Sequence, residues 1–159
     1  NITFFIVTDL SVFIRRSKLY QTNFNFCSRF FQEKLNFGKK KFFDFKGKYV
    51  YLNFENSMID QVQKDLGVLV RFQNDYKNDL VILNVGLYDT PESVLKLSQR
   101  YQGMRFLLAE DPDALKDLYN IKSIPCFFLI DKEGNFLMTK GAEPTDELRM
   151  LLQRIFKSN

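Results

Sequence analysis

The sequence predicts an α/β domain with a central, mixed but mostly parallel β-sheet flanked by helices. From Lys48 onward, short apolar runs alternate with stretches of helical period, which favours parallel strands joined by helical crossovers. The run 80–87 is almost entirely apolar, as in a strand buried on both faces. A turn-rich segment at 131–135 separates two further apolar runs and predicts a closing antiparallel hairpin.

The predicted elements after residue 48 follow the order βαβαβαββα. The apolar runs predict strands at 49–54, 80–87, 106–109, 126–130 and 136–139. The first helix is predicted within 58–76, and the others begin after Thr90, Asp111 and Thr145. Thr90 and Asp111 are good N-cap residues, and each precedes a proline suited to the first helical position.

The first 43 residues are predicted to form an extension packed on the core, which we assign to residues 44–159. Ile2–Val7 is typical of a strand. Residues 23–35 predict a helix with an inward stripe of Phe26, Cys27, Phe30, Phe31 and Leu35. The sequence has no Pro/Gly/Ser-rich linker that would make this extension a separate domain.

Composition and charge narrow the classes of function. The chain has no histidine, and its two cysteines lie far apart, so we expect no metal site and no cofactor. Residues 1–48 hold ten Lys or Arg against three Asp or Glu. Because these bases are scattered, we interpret them as a solvated face and expect no nucleic-acid partner. No apolar stretch approaches the roughly 20 residues of a membrane span.

Two segments carry a family resemblance. The segment Ser123–Asn135, a proline opening an apolar strand that ends in a tight turn, resembles the cis-proline segment of the thioredoxin superfamily. Residues 46–54 resemble the strand that delivers the active-site motif in the TlpA and AhpC/TSA (peroxiredoxin-related) branch. The resemblance covers about residues 44 to 157. It implies a thioredoxin-like fold with that branch's strand-helix insertion, and a cis bond before Pro125.

The same resemblance implies a degenerate active site. Where the family reads Phe-Trp-x-x-Trp-Cys-x-x-Cys, this chain reads Phe-Glu-Asn-Ser-Met-Ile-Asp-Gln-Val at 54–62. Ile59 and Val62 therefore stand at the positions of the two cysteines, and Met58 stands at that of the second tryptophan. Asp65 matches an acidic residue that the branch often has in the first helix. Disulfide exchange requires a thiolate and a resolving thiol, so we expect no catalytic residue in this motif.

A peptide groove is the feature that the resemblance leaves in place. In active relatives, the residue before the proline offers its backbone to an extended peptide. The resemblance implies an equivalent groove at Ser57, Met58, Ile124 and Pro125, where a peptide or protein segment would add as a strand. The alternative, that Pro125 only shapes its loop, is the interpretation that we favour from the sequence.

Cys126 and two acids were the other candidates for chemistry. Cys126 follows the proline and is a weak candidate for a solitary redox thiol, but its apolar strand favours a buried hydrophobic role. A Cys27–Cys126 disulfide cannot be decided from sequence. Glu55 with Asp60 offers a carboxylate pair, yet nothing else in the sequence supports acid-base catalysis.

These observations favour a non-catalytic binding or structural module of a larger protein, with further domains attached. The resemblance implies an extracytoplasmic location, periplasmic or in the cell envelope. The alternative is a thiol-disulfide oxidoreductase or peroxiredoxin-like enzyme that uses Cys126 and serves cell redox homeostasis.

Overall fold

The computed structural model describes residues 6–7, 36–37, 40–41, 45, 47–109, 111–139 and 143–157. The helix predicted at 23–35, with Cys27, lies outside these residues, as does most of the predicted strand Ile2–Val7. The division of the chain between residues 43 and 44 stays a prediction.

The described elements alternate along the chain as the sequence predicts. The strands are β1 (Ile6–Val7), β2 (Asn36–Phe37), β3 (Lys40–Lys41), β4 (Tyr49–Glu55), β5 (Leu80–Gly86), β6 (Arg105–Ala109), β7 (Cys126–Ile130) and β8 (Phe136–Thr139). The helices are α1 (Asp60–Asp75), α2 (Pro91–Arg100), α3 (Pro112–Leu118) and α4 (Asp146–Lys157). Every helix and strand predicted after residue 48 is present, and the ends of those with predicted bounds differ by two residues or fewer.

A six-stranded mixed sheet organises the domain, in the order β1-β6-β5-β4-β7-β8. Strands β1, β6, β5 and β4 pair in parallel, whereas β7 pairs antiparallel with β4, and β8 antiparallel with β7. Strands β2 and β3 form a separate antiparallel pair. The predicted α/β architecture is confirmed.

Helices cover the two faces of the sheet unequally. Right-handed crossovers from β4 to β5 and from β5 to β6 place α1 and α2 on one face. Helix α4 joins them there, since Leu148 and Leu152 pack with Leu69 of α1 against Tyr51 and Ile82 of the sheet. The connection from β6 back to β7 runs in the opposite direction and places α3 on the other face, where its Leu115 packs in a second core.

Local chemistry fixes the helix starts. The Thr90 side chain accepts a hydrogen bond from the Ser93 amide at 3.2 Å, and the Asp111 side chain accepts one from the Ala114 amide at 2.9 Å. Both caps confirm the sequence prediction, because each satisfies an amide that has no partner within its own helix.

Candidate functional site

The candidate site lies at the edge of the sheet that is formed by the ends of the strands, where β4 ends and β7 begins. Phe54 pairs with Cys126 in the antiparallel register, so the loop after β4 and the segment before β7 emerge side by side. Strand β5, on the other side of β4, ends at the same edge. Three loops therefore meet here, and α1 starts among them.

The loop from Asn56 to Ile59 is held by its own backbone and by Asn56. The Asn56 side chain donates to the Leu87 carbonyl at 2.8 Å and accepts from the Met58 amide at 3.0 Å. The Ile59 amide donates to the Asn56 carbonyl at 3.1 Å. Met58 is turned outward, with 84% of its surface exposed. The loop thus presents a large apolar side chain to solvent from a fixed backbone.

A second loop, after β5, fastens the first. Both carboxylate oxygens of Asp89 accept from the Ser57 amide at 3.1 Å, and Oδ1 also accepts from the Ser57 hydroxyl. The Leu87 amide donates to the Glu55 carbonyl at 2.7 Å. Charge-assisted hydrogen bonds of this kind are stronger than neutral ones, so Asp89 is the main anchor of Ser57.

Gly86 makes room for this anchor. A Cβ atom built on Gly86 would lie 2.7 Å from Asp89 Oδ2 and 3.2 Å from Asp89 Cβ. The Asp89 carboxylate therefore occupies the space that a side chain at position 86 would fill. Gly86 is also the β5 partner of Glu55, so Asp89 lies beside the Glu55 position.

We predict that Gly86→Ala lowers the free energy of unfolding by about 1–3 kcal/mol, as overpacking does. The added methyl group would push Asp89 away from Ser57. Gly67→Ala is the matched control, because a Cβ there meets nothing within 4 Å and Gly67 lies inside α1. Gly67→Ala should raise the free energy of unfolding by about 0.5–1 kcal/mol, because alanine has a higher helix propensity than glycine. Urea unfolding of both variants checks this, and equal stabilities would contradict the role of Gly86.

The positions that the family resemblance assigns to cysteines lie at the start of α1. Ile59 is the N-cap residue with an extended backbone, and its carbonyl accepts from the Val62 amide at 3.0 Å. Val62 is buried with Leu66 and Leu97, and the half-buried Ile59 packs against this cluster. Neither side chain can ionise, so these two positions place no thiolate at the positive end of the helix.

The segment before β7 supplies the other side of the predicted groove. The Ile124–Pro125 peptide bond is cis. Both residues are half-buried, and Ile124 packs against the core on the α3 face. The register thus brings all four predicted groove residues to one edge of the sheet.

Glu55 is the feature of the site that sequence reasoning undervalued. Glu55 is 1% exposed, and its Oε2 accepts a hydrogen bond from Asn53 Nδ2 at 2.9 Å. Burial first, and then the charge of Asp89, raise its pKa to about 8, while the Asn53 hydrogen bond acts in the opposite direction. Asp60 is exposed at the helix start, so the two acids do not form an equivalent pair. The usable signal was the alternation of Tyr51, Asn53 and Glu55 along one face of β4.

Buried polar groups continue from Glu55 into the sheet. Asn53 also donates to Asn84 Oδ1 at 3.0 Å, and Asn84 donates to the Arg105 carbonyl at 3.0 Å. Asn53 Oδ1 is buried with no hydrogen-bond partner among the described residues. On α1, burial raises the pKa of Asp65, a hydrogen bond from Gln61 lowers it, and the charge of Glu143 raises it further.

Cys126 is 7% exposed at the start of β7. We predict that alkylation of Cys126 in the native protein is on the order of a hundredfold slower than after denaturation, as for an opening free energy of about 3 kcal/mol. Peptide mapping by mass spectrometry separates Cys126 from Cys27. Native labelling as fast as that of the unfolded chain would contradict the burial and favour the enzyme that uses Cys126.

Two kinds of feature are absent from the described part of the chain. It contains no group of three or more His, Cys, Asp or Glu side chains placed to hold a metal ion. No helix in this part is long and apolar enough to cross a membrane.

Comparison with known proteins places the chain in a family. A family model described as thioredoxin-like matches residues 47–136. The thiol-disulfide oxidoreductase ResA of Geobacillus kaustophilus is 32% identical over 93 residues, which cover 57% of this chain and 53% of that protein. The ResA protein of Bacillus thuringiensis is 30% identical over 115 residues, covering 70% of this chain and 66% of the relative. The chain thus spans about half to two thirds of these relatives.

Solved structures share the fold of this chain. A putative thiol-disulfide oxidoreductase from Bacteroides vulgatus has a TM-score of 0.63 at 25% identity, covering 74% of this chain and 84% of that one. A putative thiol:disulfide interchange protein DsbE from Chlorobium tepidum has a TM-score of 0.62 at 24% identity, with coverages of 74% and 84%. The chain belongs to the thioredoxin-like family.

Proposed function

We propose that this thioredoxin-like domain has lost the redox dithiol and serves as a non-catalytic module that binds an extended peptide. The observation that carries the proposal is the pair Ile59 and Val62 at the start of α1. Thiol-disulfide exchange proceeds by attack of a thiolate on a disulfide sulfur. The helix start that would stabilise such a thiolate holds two aliphatic side chains instead.

The groove is the second part of the proposal. Met58 exposes its thioether side chain beside half-buried Ile59, and Ile124 and Pro125 lie across the sheet edge. Isolated exposed apolar residues are common, but here one stands on a loop that hydrogen bonds fix to the loop after β5. Such a surface suits a peptide that adds its backbone as a strand and places an apolar side chain against Met58.

The relatives' names suggest the competing function. Proteins similar to this chain are named thiol-disulfide oxidoreductases, and an enzyme of that class here would need Cys126 as its sulfur. Burial of Cys126 opposes this role, because a reactive cysteine needs both access and a stabilised thiolate. The non-catalytic function is therefore the better supported of the two.

The setting of the domain is also part of the proposal. We place it in a larger extracytoplasmic protein, periplasmic or in the cell envelope, on the strength of the family resemblance. A peptide segment of an attached domain or of a separate envelope protein would then be the ligand.

Binding to a randomised peptide library, followed by titration of the selected peptide, tests the proposed groove. Met58→Asp should weaken binding about tenfold or more, since an apolar anchor contributes over 1 kcal/mol. Met150→Asp is the control, because Met150 is an exposed methionine on α4. Equal affinities of both variants, or no selected peptide, would contradict the groove.

A further inference from the structure

A cluster of buried polar side chains lies directly beneath the groove. Asn53 and Glu55 of β4 point to the same face of the sheet as their β5 partners, Asn84 and Gly86. The Asp89 carboxylate fills the space over Gly86 on that face. The Glu55 carboxyl group is therefore enclosed between the side-chain amides of Asn53 and Asn84 and the carboxylate of Asp89, which anchors Ser57.

The charges that face Glu55 are of its own sign. Asp89 comes from the loop after β5 and Asp65 from α1, and both raise the pKa of Glu55. Asn53 supplies one hydrogen bond to Glu55, and its own buried Oδ1 has no partner among the described residues. The cluster has more hydrogen-bond acceptors than donors. A proton on Glu55 adds a donor and removes a negative charge.

Glu55 is linked to the loop from Asn56 to Ile59 through the loop after β5. Its carbonyl accepts from the Leu87 amide, which fixes the start of the loop that carries Asp89. Asp89 in turn holds the Ser57 amide and hydroxyl, and Met58 follows directly. A charge on Glu55 would therefore act on Asp89, the residue that sets the position of Ser57.

We propose that the proton on Glu55 controls the groove: the neutral acid keeps Asp89 bound to Ser57, and the ionised acid repels Asp89 and releases Ser57 and Met58. The inference rests on the proposed peptide-binding function and names its regulation. No other reactant is needed, because the proton passes between the carboxyl group and water. A buried carboxylate beside Asp89 also draws water into the cluster, which loosens the same loop.

The raised pKa of Glu55, about 8, places this transition in mildly alkaline solution. A peptide that binds only the ordered loop would by linkage raise the pKa of Glu55 further. Above the pKa of Glu55 in the free protein, the dissociation constant of the peptide would increase by up to about tenfold for each pH unit.

Methionine-methyl NMR tests the coupling without any ligand. With methyl-labelled methionine, the chemical shift of the Met58 methyl group should change with pH. The midpoint of this change should coincide with that of the chemical shift of the Glu55 carboxyl carbon. Glu55→Gln should abolish that shift, and the Met150 signal, from α4, serves as internal control. Asp65→Asn should keep the Met58 shift and move its midpoint to lower pH, because the charge of Asp65 raises the pKa of Glu55. A Met58 shift that survives in Glu55→Gln, or that vanishes in Asp65→Asn, would overturn the proposal.

Peptide titration separates this inference from the proposed function. The peptide selected on the wild-type protein should bind more weakly at about pH 9 than at about pH 7, whereas Glu55→Gln should bind equally at both. Binding that is independent of pH, with a Met58 signal that does not titrate, overturns the regulation and leaves the groove standing. A Met58 signal that titrates through Glu55, with no peptide bound at any pH, supports the coupling and contradicts the groove.

Discussion

Replacing both aliphatic residues at the start of α1, as Ile59→Cys with Val62→Cys, should create a dithiol that closes into an intramolecular disulfide. The two positions are joined by the hydrogen bond from the Val62 amide to the Ile59 carbonyl, at 3.0 Å, so they lie on one helical turn. That turn brings their Cα atoms within the separation that a disulfide requires. The double variant should also reduce peptide disulfides.

The expected reduction of disulfides follows from the position of the introduced thiol at the start of α1. A thiol at position 59 would lie at the positive end of α1, which lowers its pKa. With a pKa near 7, about half of it would be thiolate at neutral pH, against about 3% for an unperturbed thiol. The thiol at position 62 would be buried and one turn away, in place to resolve a mixed disulfide.

The two single variants are the controls for this result. Each carries one introduced thiol in nearly the same packing, and neither can form the new intramolecular bridge. Mass spectrometry of the oxidised proteins, with peptide mapping, identifies the linkages. If the double variant shows only unlinked or intermolecularly linked thiols, these positions do not correspond to the family's cysteines.

Glu55→Gln should stabilise the domain by about 3 kcal/mol at pH 7 and remove much of its pH dependence. The pKa of Glu55 rises from 4.5 to about 8 on folding. Between these values the folded protein binds a proton that the unfolded chain has lost, so wild-type stability should fall with rising pH, by up to about 1.4 kcal/mol per unit. Glutamine keeps an acceptor for Asn53 and carries no charge.

Urea unfolding from about pH 5 to about pH 9 measures this effect, with Glu92→Gln as control. Glu92 is exposed in the first turn of α2, so its replacement removes one charge without touching the buried cluster. Asp65 has a raised pKa as well and leaves a residual slope of the same sign. A wild-type stability that increases from pH 5 to pH 8, or a Glu55→Gln variant less stable than wild type at pH 8, would contradict the burial of a neutral Glu55.

The fold was readable from sequence because its signals are local and mutually consistent. The capping residues Thr90 and Asp111 each precede a proline, and the almost entirely apolar β5 is buried along its whole length. The turn at Asp131 is likewise encoded locally, since its carboxylate accepts from the amides of Glu133 and Asn135. The proposed loss of the motif also rests on the sequence alone, because it depends on residue identity at a known spacing.

The polar part of the site was not readable, because it depends on contacts between distant residues. Glu55 is the last residue of β4 and precedes a turn, a position where an acid is usually solvated, and the packing of α1 and the loop after β5 encloses it. The bond between Ser57 and Asp89 spans 32 residues, and it needs Gly86 to lack a side chain. Alternation along β4 indicates the face on which Glu55 lies, but no motif marks the residues that enclose it or the bond between Ser57 and Asp89.

Reduction of a fluorogenic peptide disulfide is the most direct measurement of the central claim, that this thioredoxin-like domain performs no thiol chemistry. The wild-type protein should match the background rate of the buffer, and the Ile59→Cys, Val62→Cys double variant provides the positive control in the same assay. Wild-type turnover comparable to that of the double variant, and abolished by Cys126→Ser, would contradict the account and identify Cys126 as a catalytic residue.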